Sequence, residues 1–407
     1  MTQQGPLHPL LTGGAEYPFV KLERRRKELA PPGVASINFG MGDPREETPR
    51  FIRDTLKAAL PAVSSYPATA GKPELRAACA AWMKRRYGVD LDPERHVLPA
   101  NGTKEAVFTM ALAVVAPGGV RDTVVIPTPA YPVYEGGARF AGAKPHFTPL
   151  QSSDGWRFNP DRVSDEVWKR TALLWLNSPH NPTGGILARR DLEAIAAILR
   201  GHPDVWVYAD EIYSRLCYEG EFFSIASVPG MYERTIVSDG ASKTWAMTGW
   251  RLGLTANPVL AAEFTRWVTN TDSCASQISQ WAAVAAIEGP QDDAAKMRAS
   301  FLDRRDLIVG LLNQVPGVTC RTPGGAFYAW PNVTEACRII GAADSEEFRR
   351  RLLNDAGVAV LADIHFGARV PGEGQHVRFS YAASKSAIES GVARMTEFIK
   401  RNARRVA

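Results

Sequence analysis

Cysteine is scarce and unpaired in this chain of 407 residues: Cys79, Cys217, Cys274, Cys320 and Cys337 are odd in number, widely scattered and never in a CxxC pair. That argues against a disulfide framework or a zinc site and suits a reducing cytoplasm. Long apolar runs are missing too. The longest, near "AVFTMALAVVA", falls far short of the ~20 residues a membrane span requires. The N-terminus "MTQQGPLHPLLTGG" has no basic n-region and no sustained apolar core, so no signal peptide is expected. The seven histidines show no HExxH or other ligand spacing, and no metal is expected. Charge of one sign is modest at +5, and the basic runs at 21–29 and 400–407 have no interleaved aromatics. They read as a solvated helix face and a frayed tail, with no nucleic-acid partner implied.

What is present is ordinary globular composition, 45% hydrophobic and 22% charged, with length enough for one large domain and a smaller one. There is no internal repeat and no low-complexity linker. The middle of the chain alternates short β-type runs, "DTVVIP", "ALLWLN", "VWVYAD", "TIVSD" and "RLGLTAN", with helical or loop segments. Such alternation predicts an α/β fold, a mostly parallel sheet covered by helices, over residues 46–288. After about Gly289 and Pro290 the texture changes to a long helix, "GGAFYAWPNV", "FRRRLLNDAGVAVLA" and "HVRFSYAAS". This predicts a small α+β domain over 289–407 with an antiparallel sheet, joined by residues 1–45, which carry a basic helix and the strand-like "ASINFG".

Ligands of open α/β sheets lie beyond the carboxyl ends of the strands, so the residues ending each run are the informative ones. "VLPANGTKEAVF" ends a strand at Asn101-Gly102-Thr103 and opens a helix. Its N–H groups could cradle a phosphate, or Thr103 could simply cap the helix. Tyr131 of "VIPTPAYPVY" could stack on an aromatic ligand or anchor its loop. Asn177 and Asn181 in "LNSPHNPTGG" sit in a loop more elaborate than a turn requires. Asp210 ends "VWVYADEIY" with Tyr213 one helical turn on, and as a lone carboxylate it could equally be an N-cap. Lys243 stands among small residues in "VSDGASKTWAMTGWRLG". In a partly desolvated pocket it is an amine nucleophile; on the surface it is ordinary. One ligand accounts for all of these. A ring bearing a phosphate, a phenolic oxygen, a pyridine nitrogen and an aldehyde needs a cradle, a stacking face, donors, a carboxylate and a lysine, which describes pyridoxal 5′-phosphate.

With "NSPHNPTG", "ADEIY", "SKTWAMTGWRLG" and "HVRFSYA" in that order, the chain resembles the fold-type I, class I and II aminotransferases from "INFGMGDP" to "HVRFSYAAS". The resemblance implies a homodimeric transaminase with a three-layer large domain. Lys243 would bond the cofactor aldehyde, Asp210 would pair with the pyridinium, and Asn181 and Tyr213 would meet the phenolic oxygen. Tyr131 would stack on the ring. Gly102, Thr103, Ser242 and Arg251 would surround the phosphate, with Lys104 directly after that cradle and Tyr66 reaching in from a second subunit. Arg378 would take the substrate α-carboxylate, helped by Asn181 and the backbone at Gly42. Many relatives have serine three residues before the lysine; here that place is Gly240, and Ser242 is the residue available to replace it.

For substrate, Lys104 stands where one aspartate-aminotransferase subgroup places a lysine for the distal carboxylate, although a solvated first-turn residue would read the same. "EYPFVKLERRR", "YPATAGKPELR" and "LPANGTKEAVF" resemble the succinyldiaminopimelate aminotransferases. N-succinyl-LL-diaminopimelate is therefore the expected amino compound, aspartate the alternative, and glutamate with 2-oxoglutarate the second pair. A regulator built on the same domain would carry a DNA-binding domain ahead of it, and fewer than 40 residues precede "INFGMG". A C–S lyase or decarboxylase on this fold would keep Lys243 and Asp210 and stays open at this point.

Overall fold

The runs TVVIPT and TALLWLN are buried at every position, which a strand achieves only where both faces of its sheet are covered. The computed structural model describes residues 17–29, 31 and 33–406, the last three by backbone alone. Its strands are β1 (Ile37–Asn38), β2 (Val97–Ala100), β3 (Thr123–Thr128), β4 (Lys144–Pro149), β5 (Thr171–Asn177), β6 (Trp206–Asp210), β7 (Thr235–Gly240), β8 (Gly253–Ala256), β9 (Tyr328–Ala329), β10 (Val358–Ala359), β11 (Leu361–Ala362) and β12 (Val377–Ser380).

Seven of them form one sheet in the order β2-β8-β7-β6-β5-β3-β4, and only β8 runs antiparallel to its neighbours. Side chains alternate between its faces with period two. Val124, Ile126, Leu173, Trp175 and Tyr208 pack with Val107 and Met110 of the helix Thr103–Val114. Val125, Leu174, Leu176 and Val207 pack instead with Leu192, Ile195 and Leu199 of the helix Arg189–Arg200. Two apolar cores on opposite faces make the three layers. The register sets Asn177 beside Asp210 and Asp210 beside Ser238, so the carboxyl ends of β5, β6 and β7 open side by side.

The C-terminal part builds a second assembly, with β11-β12-β9 antiparallel and β1 paired in parallel with β10, Ile37 opposite Val358. Its core joins Phe39 to Phe301, Phe327, Phe379 and Phe398, so the segment around β1 packs here. Only Ile37 and Asn38 of "ASINFG" are strand.

The expected frayed tail at 400–407 is corrected: helix Lys385–Val406 continues through 400–406, and residue 407 lies outside the described residues. Met395, Phe398 and Ile399 are buried on one face, and the next position on that face is the polar but buried Asn402. Asn402 Nδ2 donates to Phe398 O at 2.8 Å and its Oδ1 accepts from Arg351 at 3.2 Å, so a satisfied amide continues the apolar stripe. Among the described residues no helix is long and apolar enough to cross a membrane.

Candidate active site

Asn177, the last residue of β5, organises the site. Its Nδ2 donates to Asp210 O and its Oδ1 accepts from Asn181 N, both at 2.8 Å, so one side chain ties β5, β6 and the following loop together. Asp210 is 5% exposed. Its Oδ2 accepts from the Tyr134 hydroxyl at 2.7 Å, while its Oδ1 is buried with no hydrogen-bond partner. Burial raises this carboxyl to about 6 against the hydrogen bonds from Tyr134 and the Ile212 backbone.

Lys243 lies on the short helix Ala241–Thr244 that leaves the end of β7. Its Nζ donates to Gly42 O at 2.6 Å. Burial lowers the amine to about 8, so it loses its proton far more readily near neutrality than an exposed lysine; the carboxylate of Asp43 acts in the opposite direction.

Arg378 comes from β12 and is fully buried. Its Nη1 donates to Asn181 Oδ1 at 2.8 Å and its Nη2 to Gly40 O at 2.6 Å, while Nε has no partner. The guanidinium lies over the rings of Tyr328, Phe366 and Phe19 at 4.3, 4.9 and 5.1 Å. Removing a cation from water is costly, and these ring faces and carbonyl acceptors offset part of that cost. Tyr213, also buried, shares a 2.8 Å hydrogen bond with Tyr328.

At the start of the helix Thr103–Val114, Gly102 has φ +79°, and a Cβ there would collide with the Arg251 guanidinium. Arg251, itself at φ 52°, donates to Thr248 O at 3.0 Å and Asn101 O at 3.4 Å. A cation is thus fastened beside free helix N–H groups, a combination suited to a phosphate. Ser242 is buried and borders the same space. At Gly240 a Cβ would meet Ile212 Cδ1, Leu252 O and Thr103 Cγ2, all at 3.1 Å, so a serine here would press on three neighbours.

These groups enclose a cavity of about 610 Å³ bordered by Thr103, Lys104, Tyr131, Asn181, Asp210, Tyr213, Ser242, Lys243, Arg251, Gly42 and Arg378. Lys104 Nζ lies 3.4 Å from the Tyr17 hydroxyl and 4.8 and 5.9 Å over the rings of Tyr17 and Tyr131. Tyr66 is 92% exposed and does not border its own chain's cavity. Tyr17, Phe19, Asp43, Tyr134 and Tyr328 also line the space, and sequence reasoning missed them. Only Tyr134 left a signal, three residues after Tyr131 and so on the same side of a helical turn.

The chain matches the family model described as aminotransferase class I and II over residues 35–395. It is similar to an LL-diaminopimelate aminotransferase from Syntrophobacter fumaroxidans, 35% identical over 93% of this chain and 95% of the relative. An aspartate/prephenate aminotransferase from Cereibacter sphaeroides is 34% identical over the same two shares, 93% and 95%. The crystal structure of the aspartate aminotransferase from Rhizobium meliloti aligns with TM-score 0.89 and 30% identity over 98% of this chain and 100% of that one.

Proposed function

This chain belongs to the aminotransferase class I and II family, and on that premise we propose that it transfers an amino group between an acidic amino compound and a 2-oxo acid with bound pyridoxal 5′-phosphate. The observation that carries the reading is the convergence of the Lys243 amine, the unpartnered Asp210 Oδ1 and the Arg378 fork on one cavity. The residues fit the cofactor: an orphaned buried carboxylate oxygen needs a protonated nitrogen, and the Gly102–Arg251 cradle needs an anion. When bound, the cofactor supplies an electron sink for charge developing at the substrate Cα.

Asp210 would hold the proton of the ring nitrogen, and Tyr131 would lie against the ring face. Asn181 spends its oxygen on Arg378, which leaves its Nδ2 to donate to the phenolic oxygen; Tyr213 can do the same while accepting from Tyr328. Gly102, Thr103, Ser242 and Arg251 would hold the phosphate, with Lys104 beside them. Arg378 would grip the α-carboxylate in a bidentate fork, oriented by Asn181 and by the backbone of the Gly40–Gly42 segment. Lys243, with its lowered pKa, would take the proton from Cα at its Nζ.

Lys104 would meet a distal carboxylate, and we place a diaminopimelate-type substrate first, N-succinyl-LL-diaminopimelate among them, with aspartate second. Relatives named LL-diaminopimelate aminotransferase and aspartate/prephenate aminotransferase support these two substrate classes. Leu60, Val63 and Tyr66 are all exposed, which supports a homodimer in which Tyr66 reaches the neighbouring phosphate. Five buried, unpaired cysteines favour a cytoplasmic setting. The test is an amino-exchange panel: glutamate, aspartate, LL-diaminopimelate and its N-succinyl form, each with 2-oxoglutarate or oxaloacetate, following both products. Absence of exchange with every pair would overturn the reading.

A further inference from the structure

The strip Gly40–Asp43 runs along the cavity between its two nitrogen groups. Gly40 O accepts from Arg378 Nη2 and Gly42 O accepts from Lys243 Nζ, each at 2.6 Å, so the backbone leads from the carboxylate-binding end to the amine end. Asp43 follows at the amine end and is one of the residues that line the cavity. Its Oδ1 is buried with no hydrogen-bond partner, while the residue as a whole stays partly exposed. Lys243 donates to the Gly42 carbonyl and not to that oxygen.

A buried carboxylate oxygen is costly to leave unpaired, so its partner is expected to arrive with a ligand. The partner that satisfies a carboxylate most strongly is a cation with N–H donors, here delivered next to Lys243 on a molecule whose other end is held by Arg378. A zwitterionic amino acid has this pattern: a carboxylate and an ammonium on adjacent carbons. We propose that Asp43 is the subsite for the substrate's α-ammonium, a specificity-determining residue that pairs with the amino compound and not with the 2-oxo acid. Among the charges acting on Lys243, after the lowering by burial, that of Asp43 is the strongest, which agrees with its closeness to the place where nitrogen is exchanged. The inference rests on the amino-transfer reading above.

The test compares ligands that differ only in the ammonium. Half-saturation by L-glutamate is measured in a single amino-donating turnover of the loaded enzyme, and the dissociation constant of glutarate is measured by calorimetry. In Asp43→Asn the glutamate value should rise about tenfold, the scale of one charge-assisted hydrogen bond. Glutarate should bind as in the wild type or more tightly, because a negative neighbour has been removed. Equal weakening of both ligands, or an unchanged glutamate value, would overturn the assignment. Should Asp43→Asn bind neither ligand, Asp43→Glu decides in the same assays: a retained preference for glutamate over glutarate supports the subsite, and its loss overturns it. If the wild-type protein exchanged no amino group at all, the proposed reaction would fail by itself, while calorimetry of glutamate against glutarate would still test Asp43.

Discussion

The two walls of the cavity are built in different ways. One consists of the ends of β5, β6 and β7, where sheet register fixes Asn177, Asp210 and the turn into Lys243. The other consists of Arg378, Tyr328, Phe19 and the Gly40–Asp43 strip, held by aromatic packing around one guanidinium. Three hydrogen bonds cross between them: Asn181 with Arg378, Tyr213 with Tyr328, and Lys243 with Gly42. On the proposed reaction the first wall would carry the groups that move protons and polarise the reacting centre, and the second the groups that select what enters. Damage to the first should therefore stop every substrate alike, whereas damage to the second should discriminate among substrates or show itself in their binding.

The largest effect tests the first wall. Lys243→Ala should lower kcat by roughly a thousandfold or more, because the base at Cα is gone while the fold persists. Steady-state kinetics with unchanged circular dichroism is the check, and near-normal turnover would remove Lys243 from its role. Next comes the anchor of the second wall. Arg378→Lys should cost about 2–4 kcal/mol in kcat/KM for every amino acid, since an ammonium cannot reproduce the two-pronged geometry and leaves Asn181 and Gly40 short of a donor. Lys104→Ala should be smaller and selective, about 1.5–3 kcal/mol for dicarboxylic substrates and near zero for alanine. Equal losses on all substrates would move Lys104 from substrate selection to support of the phosphate loop.

The smallest expected effect is on stability. Asp210 titrates near 6 in the folded chain against 3.8 unfolded. Below about pH 4 the group is protonated in both states; between 4 and 6 only the folded state keeps the proton, so stability falls as pH rises through that window. Above 6 the cofactor-free protein bears the whole penalty, about 1–3 kcal/mol. Asp210→Asn should thus raise the Tm of cofactor-free protein at pH 8, with the gain absent at pH 4. Equal gains at both pH values would mean that the carboxyl is not desolvated as described.

The first wall was largely legible in the sequence. The buried runs β5 and β6 end in Asn177 and Asp210, which border the cavity, so finding the strand also finds Asp210 or the loop that leads to Asn181. Arg378 was legible only through the resemblance of "HVRFSYA" to a family motif, since nothing local distinguishes a buried arginine in a strand. Tyr328 depends on its pairing with Ser380, and Phe19 on how the helix Pro18–Leu29 docks near Phe366. Such placements arise from long-range packing that no residue pattern announces. Asp43 was overlooked because the carboxylate follows the glycine that drew attention, and its orphaned oxygen is visible only in three dimensions.

Both polar ends of Asn177 are committed, one to the Asp210 carbonyl and one to the Asn181 amide. The loop carrying Asn181 therefore has little freedom of its own and borrows its rigidity from the sheet. Warming that leaves β5 and β6 paired should also leave Asn181 and its bond to Arg378 in place, so loss of function on heating should coincide with cooperative melting of the sheet and not precede it as a separate softening of the active site.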